Sequence, residues 1–128
     1  EYYHPERHAG TLVCHFRHRA HADPFVLPGL QDITANVDFS AVAQAGESAG
    51  LGLCGYATQA HFLIGCGLDE LLAASDPADV AAHLAQVQGV KLLTLPSEMG
   101  ERFKAIGLAR GLELPLRGFR TRDLRDRL

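Results

Sequence analysis

The join at Gly50 constrains this chain most. A helix-forming stretch from about Ser40 to Ala49 runs into Gly50, and residues 51–58 then read as a strand. Helix, glycine and strand in that order make the ordinary end of an α/β unit. The join also decides how its glycines are read. Those between positions 46 and 55 follow a helix and precede a strand. A dinucleotide fingerprint needs the reverse order, with strand first and helix last.

The remaining pattern predicts an α/β chain with three strands. Residues 10–16 are rich in strand formers and start at Gly10, so they read as the first strand. Residues 17–30 contain Pro24 and Pro28 and read as a loop. Asp38 and Ser40 are alternative N-caps for the first helix. Apolar residues at 63, 64, 68, 71 and 72 have helical spacing, which predicts a helix over 61–74. Gly65-Cys66-Gly67 inside it reads as close packing or a helix break. Asp76 at N-cap and Pro77 at the first helical position start a further helix to about Leu93. Residues 103–109 form the third strand, and the tail from Pro115 is weakly helical at most. Three strands are too few for a stable open sheet with both faces covered. The rest of the sheet is therefore expected upstream. A start at Glu1-Tyr2-Tyr3 without methionine fits a piece of a longer chain.

Charge and composition exclude several classes. The 128 residues suit one domain. A net charge of −3 gives the chain no electrostatic reason to seek nucleic acid. One segment departs from this. Residues 115–128 carry Arg117, Arg120, Arg122, Arg125 and Arg127 against Asp123 and Asp126. Such a basic tail reads as a solvated helical end with Arg–Asp pairs, or as a contact for an acidic partner. No stretch reaches the roughly 18–20 apolar residues of a membrane span, and none reads as a signal peptide. Cys14, Cys54 and Cys66 are widely spaced and odd in number, which predicts buried, reduced thiols as in cytosol. Arginine outnumbers lysine ten to two, a bias that suggests a GC-rich bacterial source.

Candidate chemistry narrows to one segment. His4, His8, His15, His18 and His21 cluster early, but no HExxH or Cys pair completes a metal site. His18 and His21 follow a strand end, where a ligand cleft could use them. No GxSxG occurs, and the serines have cap or turn explanations. Residues 31–39 (Gln-Asp-Ile-Thr-Ala-Asn-Val-Asp-Phe) differ. Asp32, Thr34, Asn36 and Asp38 alternate, so an extended backbone would put them on one face. That face could hold a guanidinium, because carboxylates accept bidentate arginine bonds. Equally, Asp32 could close an Asx-turn and Asp38 cap a helix.

The same segment carries a resemblance. Gly10-Thr11-Leu12 with Arg17-His18-Arg19-Ala20-His21 and Asp23-Pro24 is one block. Pro28-Gly29-Leu30-Gln31-Asp32-Ile33-Thr34-Ala35 with Val37-Asp38-Phe39 is another. Met99-Gly100-Glu101-Arg102-Phe103-Lys104 is the third, and Thr58-Gln59-Ala60 with Phe62-Leu63 fits between them. Together they resemble the C-terminal part of the MidA-like methyltransferases, whose mitochondrial members assist respiratory complex I assembly. The resemblance implies the late strands of a Rossmann-like class I methyltransferase sheet with inserted helices. It implies S-adenosyl-L-methionine (SAM) as cofactor, held by a glycine-rich loop in the N-terminal half that this chain lacks, and a protein arginine as acceptor. It implies Asp32 and Asp38 as catalytic candidates, and Thr34 and Gln59 as acceptor-binding ones, to which Asn36 on the alternating face and His18 after the strand end are added. Many relatives have His where this chain has Asn36. The competing reading is a non-catalytic binding or assembly module, acting through the helices over 61–93 and the basic tail.

Overall fold

A computed structural model describes residues 10–74, 79–112 and 115–128. The chain divides into two compact units, Glu1–Phe39 and Ser40–Leu128.

The first unit is an antiparallel sheet of β1 (Val13–Phe16), β2 (Arg19–His21) and β3 (Asp32–Thr34), with β1 in the middle. The loop expected over 17–30 therefore contains a strand. Arg17 and His18 both take positive φ, 45° and 64°, in the two-residue turn that folds β2 back on β1. A hairpin turn of that kind matches the strand twist, and it usually carries Asn or Gly, so Arg-His gives no sequence signal. Arg17 lies over the Phe16 ring, 5.3 Å from its centroid. Cys14 is fully buried at the centre of β1.

α1 spans Phe39–Ser48, all but its first residue in the second unit, so Ser40 lies inside the helix and cannot be its N-cap. Gly50 ends α1 as the sequence predicts. Its φ is +77°, the Leu51 amide donates to the Gly46 carbonyl, and the Gly50 amide donates to that of Glu47. This is the Schellman arrangement, which needs a left-handed residue at that point. Arg110 reinforces it from a distance, donating to the carbonyls of Gly50 (3.1 Å) and Ala49 (2.6 Å). Those carbonyls carry the negative end of the helix dipole, where a cation is favoured.

β4 (Gly52–Thr58) follows and pairs antiparallel with β5 (Lys104–Ala109). A bulge between Leu53 and Gly55 leaves Cys54 without a partner. The expected 61–74 helix is two helices, α2 (Gln59–Gly65) and α3 (Leu68–Ala73). The break falls at Gly67, whose φ of +98° no helix interior accepts. Cys66 closes α2 at this break and is exposed, so the expectation of three buried thiols holds only for Cys14 and Cys54. α4 (Val80–Thr94) is capped by Asp79, whose carboxylate accepts from the Ala82 amide at 3.0 Å. The Asp76-Pro77 start expected for it lies outside the described residues.

The tail is not a solvated helix. Its 3-10 turns at Arg117–Phe119 and Arg125–Arg127 flank a segment that joins β4. The Leu124 amide donates to the Tyr56 carbonyl at 2.7 Å, and the Tyr56 amide donates to Asp123 Oδ1 at 3.3 Å. Phe119 and Leu124 are buried, and Phe119 packs on Phe62 with ring centroids 5.3 Å apart. Among the described residues the two units thus contain five strands rather than three. All described pairings are antiparallel.

Candidate functional site

In an antiparallel pair, opposed residues share a face and successive residues alternate. The register Cys14↔His21 and Cys14↔Ile33 puts the buried thiol, His21 and Ile33 on one side of the first unit's sheet. The register Val13↔Thr34, His15↔Asp32 and His15↔Ala20 puts Val13, His15, Ala20, Asp32 and Thr34 on the other. Val13, His15, Ala20, Asp32 and Thr34 are all exposed.

Asp32 therefore stands directly across from His15. Opposed residues of this kind have Cβ atoms roughly 4.5–5.5 Å apart. Among the described residues the Asp32 carboxylate has no hydrogen-bond or ion-pair partner. Thr34 is committed on one side, since its hydroxyl donates to the Val13 carbonyl at 3.0 Å. That bond ties β3 to β1 and leaves the oxygen able to accept.

The alternating face expected over 32–38 extends only as far as Thr34. Residues 35–38 are irregular rather than strand. Asn36 is held through its backbone, its amide donating to Thr11 Oγ1 at 3.1 Å. Asp38 is half-buried immediately before α1. His18 is exposed at the hairpin tip, on the turn between β1 and β2. Sequence reasoning had no means to pair His15 with Asp32, because that pairing depends on the β1–β3 register.

Gln59 belongs to the second unit, at the end of β4 and the start of α2. Its side-chain amide donates to the Leu93 carbonyl at 2.9 Å, tying α2 to α4. Its backbone amide donates to the Phe103 carbonyl at 2.9 Å, and that of Ala60 to the Gly100 carbonyl at 3.0 Å. Two sequence blocks some forty residues apart, around Thr58 and around Gly100, thus meet at one strand end. Gly100 is required there, since a Cβ would lie 2.1 Å from the Thr94 carbonyl oxygen. Thr58 is 3% exposed, and its hydroxyl lies 2.7 Å from His61 Nδ1.

The chemistry open to these residues is polar recognition. A carboxylate on an exposed sheet face, without a partner among the described residues, can accept two parallel N–H bonds from a planar cation. No group of three metal-ligating side chains occurs among the described residues, and no helix there is long and apolar enough to cross a membrane. His4 and His8 lie outside them.

The family described as "Putative S-adenosyl-L-methionine-dependent methyltransferase" matches residues 1–57. The mitochondrial protein arginine methyltransferase NDUFAF7 homolog of Drosophila melanogaster is 33% identical over 88% of this chain and 26% of its own length. Protein arginine methyltransferase NDUFAF7 of Danio rerio is 38% identical over 76% of this chain and 24% of its own. The chain thus spans about a quarter of the curated relatives it matches. A Burkholderia thailandensis protein crystallised with S-adenosyl-homocysteine is 50% identical, with a TM-score of 0.92 over 99% of this chain and 33% of that one.

Proposed function

The chain belongs to the MidA-like family of SAM-dependent methyltransferases, and from that premise we propose that it forms the acceptor-side, C-terminal part of an enzyme that methylates arginine on a protein. The observation that carries this reading is the near-complete superposition on a chain three times as long that binds the demethylated cofactor. Two relatives with protein arginine methyltransferase names support the acceptor class.

The described residues do not fit a role as the cofactor's main cradle. Such a cradle runs from a strand through glycines into a helix. Here β3 reaches α1 through residues 35–38, which include no glycine, and β4 runs straight into α2. When bound, the cofactor supplies the methyl group in this family.

What the chain's own residues contribute is the placement of the acceptor. Asp32 accepts two guanidinium N–H bonds and fixes the plane of the acceptor group. Asp38 is the second carboxylate of the segment, and two negative charges offset a cation leaving water. Thr34, Asn36 and His18 are the further polar groups of the first unit. Orientation is a large part of such an enzyme's work, because a correctly held nucleophile avoids most of the entropy of encounter. The three cysteines are free thiols, which supports a reducing bacterial cytoplasm as the setting.

The test is methyl transfer by the longer protein that contains this chain. Incubated with SAM and a proteome depleted of the enzyme, it should produce methylarginine, read by mass spectrometry. Transfer to another side chain would overturn the acceptor class. Absence of any SAM-dependent transfer would overturn the enzyme reading.

A further inference from the structure

The arginine-rich tail is fixed to the second unit at several points. Arg117 pairs with Glu70 at 2.7 Å. Phe119 is buried next to it, 6% exposed. Asp123 and Leu124 hydrogen-bond the Tyr56 backbone. Arg125 binds Asp123 Oδ2 at 2.7 Å and the Leu53 carbonyl at 3.1 Å. Between and beyond these anchors lie Arg120, Arg122 and Arg127. All three are exposed, and none has an ion pair or side-chain hydrogen bond among the described residues.

We propose that this strap is a docking surface for a carboxylate-rich segment of a protein partner, engaged by Arg120, Arg122 and Arg127. The inference is independent of the methyl-transfer reading. Two of the tail's arginines are used to hold it down, and the other three are displayed by a backbone that is already ordered. A flexible basic tail would lose backbone entropy on binding, whereas a docked one has already lost it. Guanidinium groups suit carboxylates because their donors match both oxygens at once. Nucleic acid is disfavoured. The chain carries a net charge of −3, and the strap's one aromatic residue, Phe119, is buried and offers no stacking surface.

The experiment is fluorescence anisotropy with the full chain and a short labelled polyglutamate peptide. Arms with a single-stranded oligonucleotide and with phosphatidylglycerol vesicles run in parallel. The variant R120A/R122A/R127A should bind the peptide about tenfold more weakly, since three exposed pairs each contribute modestly. Its melting temperature should be unchanged, and R117A should lose less. If the triple variant folds poorly, R122A alone should weaken binding severalfold. Equal binding by wild type and variants overturns the proposal. So does tighter, arginine-dependent binding of the oligonucleotide or the vesicles.

Discussion

Phe119 occupies the space that a side chain at Gly55 would need: a Cβ built there would lie 2.1 Å from the ring. Gly55 faces Gly107 across the β4–β5 ladder, and a Cβ at Gly107 would lie 2.9 Å from the same ring. The aromatic ring thus covers a glycine pair that could pack nothing of its own. Gly118, next to it, is closed in the same way by Phe62, 2.4 Å from a Cβ there. The tail is part of the second unit's core.

Removing the ring should therefore cost core stability. Phe119→Ala is expected to destabilise the chain by about 3–5 kcal/mol, the range for a buried aromatic. Gly55→Ala should cost about 1–3 kcal/mol by overpacking. Urea unfolding followed by far-UV circular dichroism measures both. A loss below about 0.5 kcal/mol for Phe119→Ala would mean that the tail is not docked as described.

The end of α1 makes a second test. Gly50→Ala places a Cβ at φ +77° and 3.0 Å from Arg110 Nη2, and should cost about 1 kcal/mol. Arg110→Ala removes two donors from the terminal carbonyls and should cost about 1 kcal/mol, because the side chain is exposed. The two share an environment, so their effects should fall short of additive. Full additivity in a double-mutant cycle would contradict the contact.

Thr58 closes the N-terminus of α2 and holds His61. Thr58→Val should lose about 1 kcal/mol while keeping the side-chain volume, and Thr58→Ser should restore most of it. Nitrogen NMR of the His61 ring should show its tautomer balance change in the Val variant but not in the Ser one. An unchanged balance in both would mean that Thr58 does not set the ring.

These contacts show what was and was not legible in the sequence. The α1–Gly50–β4 join was, because a left-handed residue between helix and strand has few substitutes. β5 was, through its apolar run. The hairpin at Arg17-His18 was not, since its two positive φ values sit on residues that give no turn signal. The α2–α3 break was half-legible, as Gly65-Cys66-Gly67 marked the place without deciding between packing and a break. Around the candidate site, the carboxylates were visible but their surroundings were not. The His15–Asp32 opposition depends on strand register, and residues 35–38 leave the strand that an alternating pattern suggested. The tail's role was hidden for a similar reason: Phe119 is matched to glycines more than ten residues and more than sixty residues away in sequence.

Calorimetric titration of SAM into the 128-residue chain checks the division of labour between acceptor and cofactor. No saturable heat is expected at concentrations up to about 1 mM, which bounds any affinity to the weak millimolar range. Tight binding would mean that these residues do cradle the cofactor.

The most direct measurement concerns Asp32 itself, exposed and without a hydrogen-bond or ion-pair partner among the described residues. In the enzyme proposed above, Asp32→Asn keeps the shape of the side chain and removes the charge that would hold a guanidinium. Steady-state methyl transfer should show turnover reduced by about a hundredfold, the scale for losing alignment of a reacting group, with the KM for SAM largely kept. Unchanged turnover would contradict the account, since the β3 carboxylate would then have no part in presenting the acceptor.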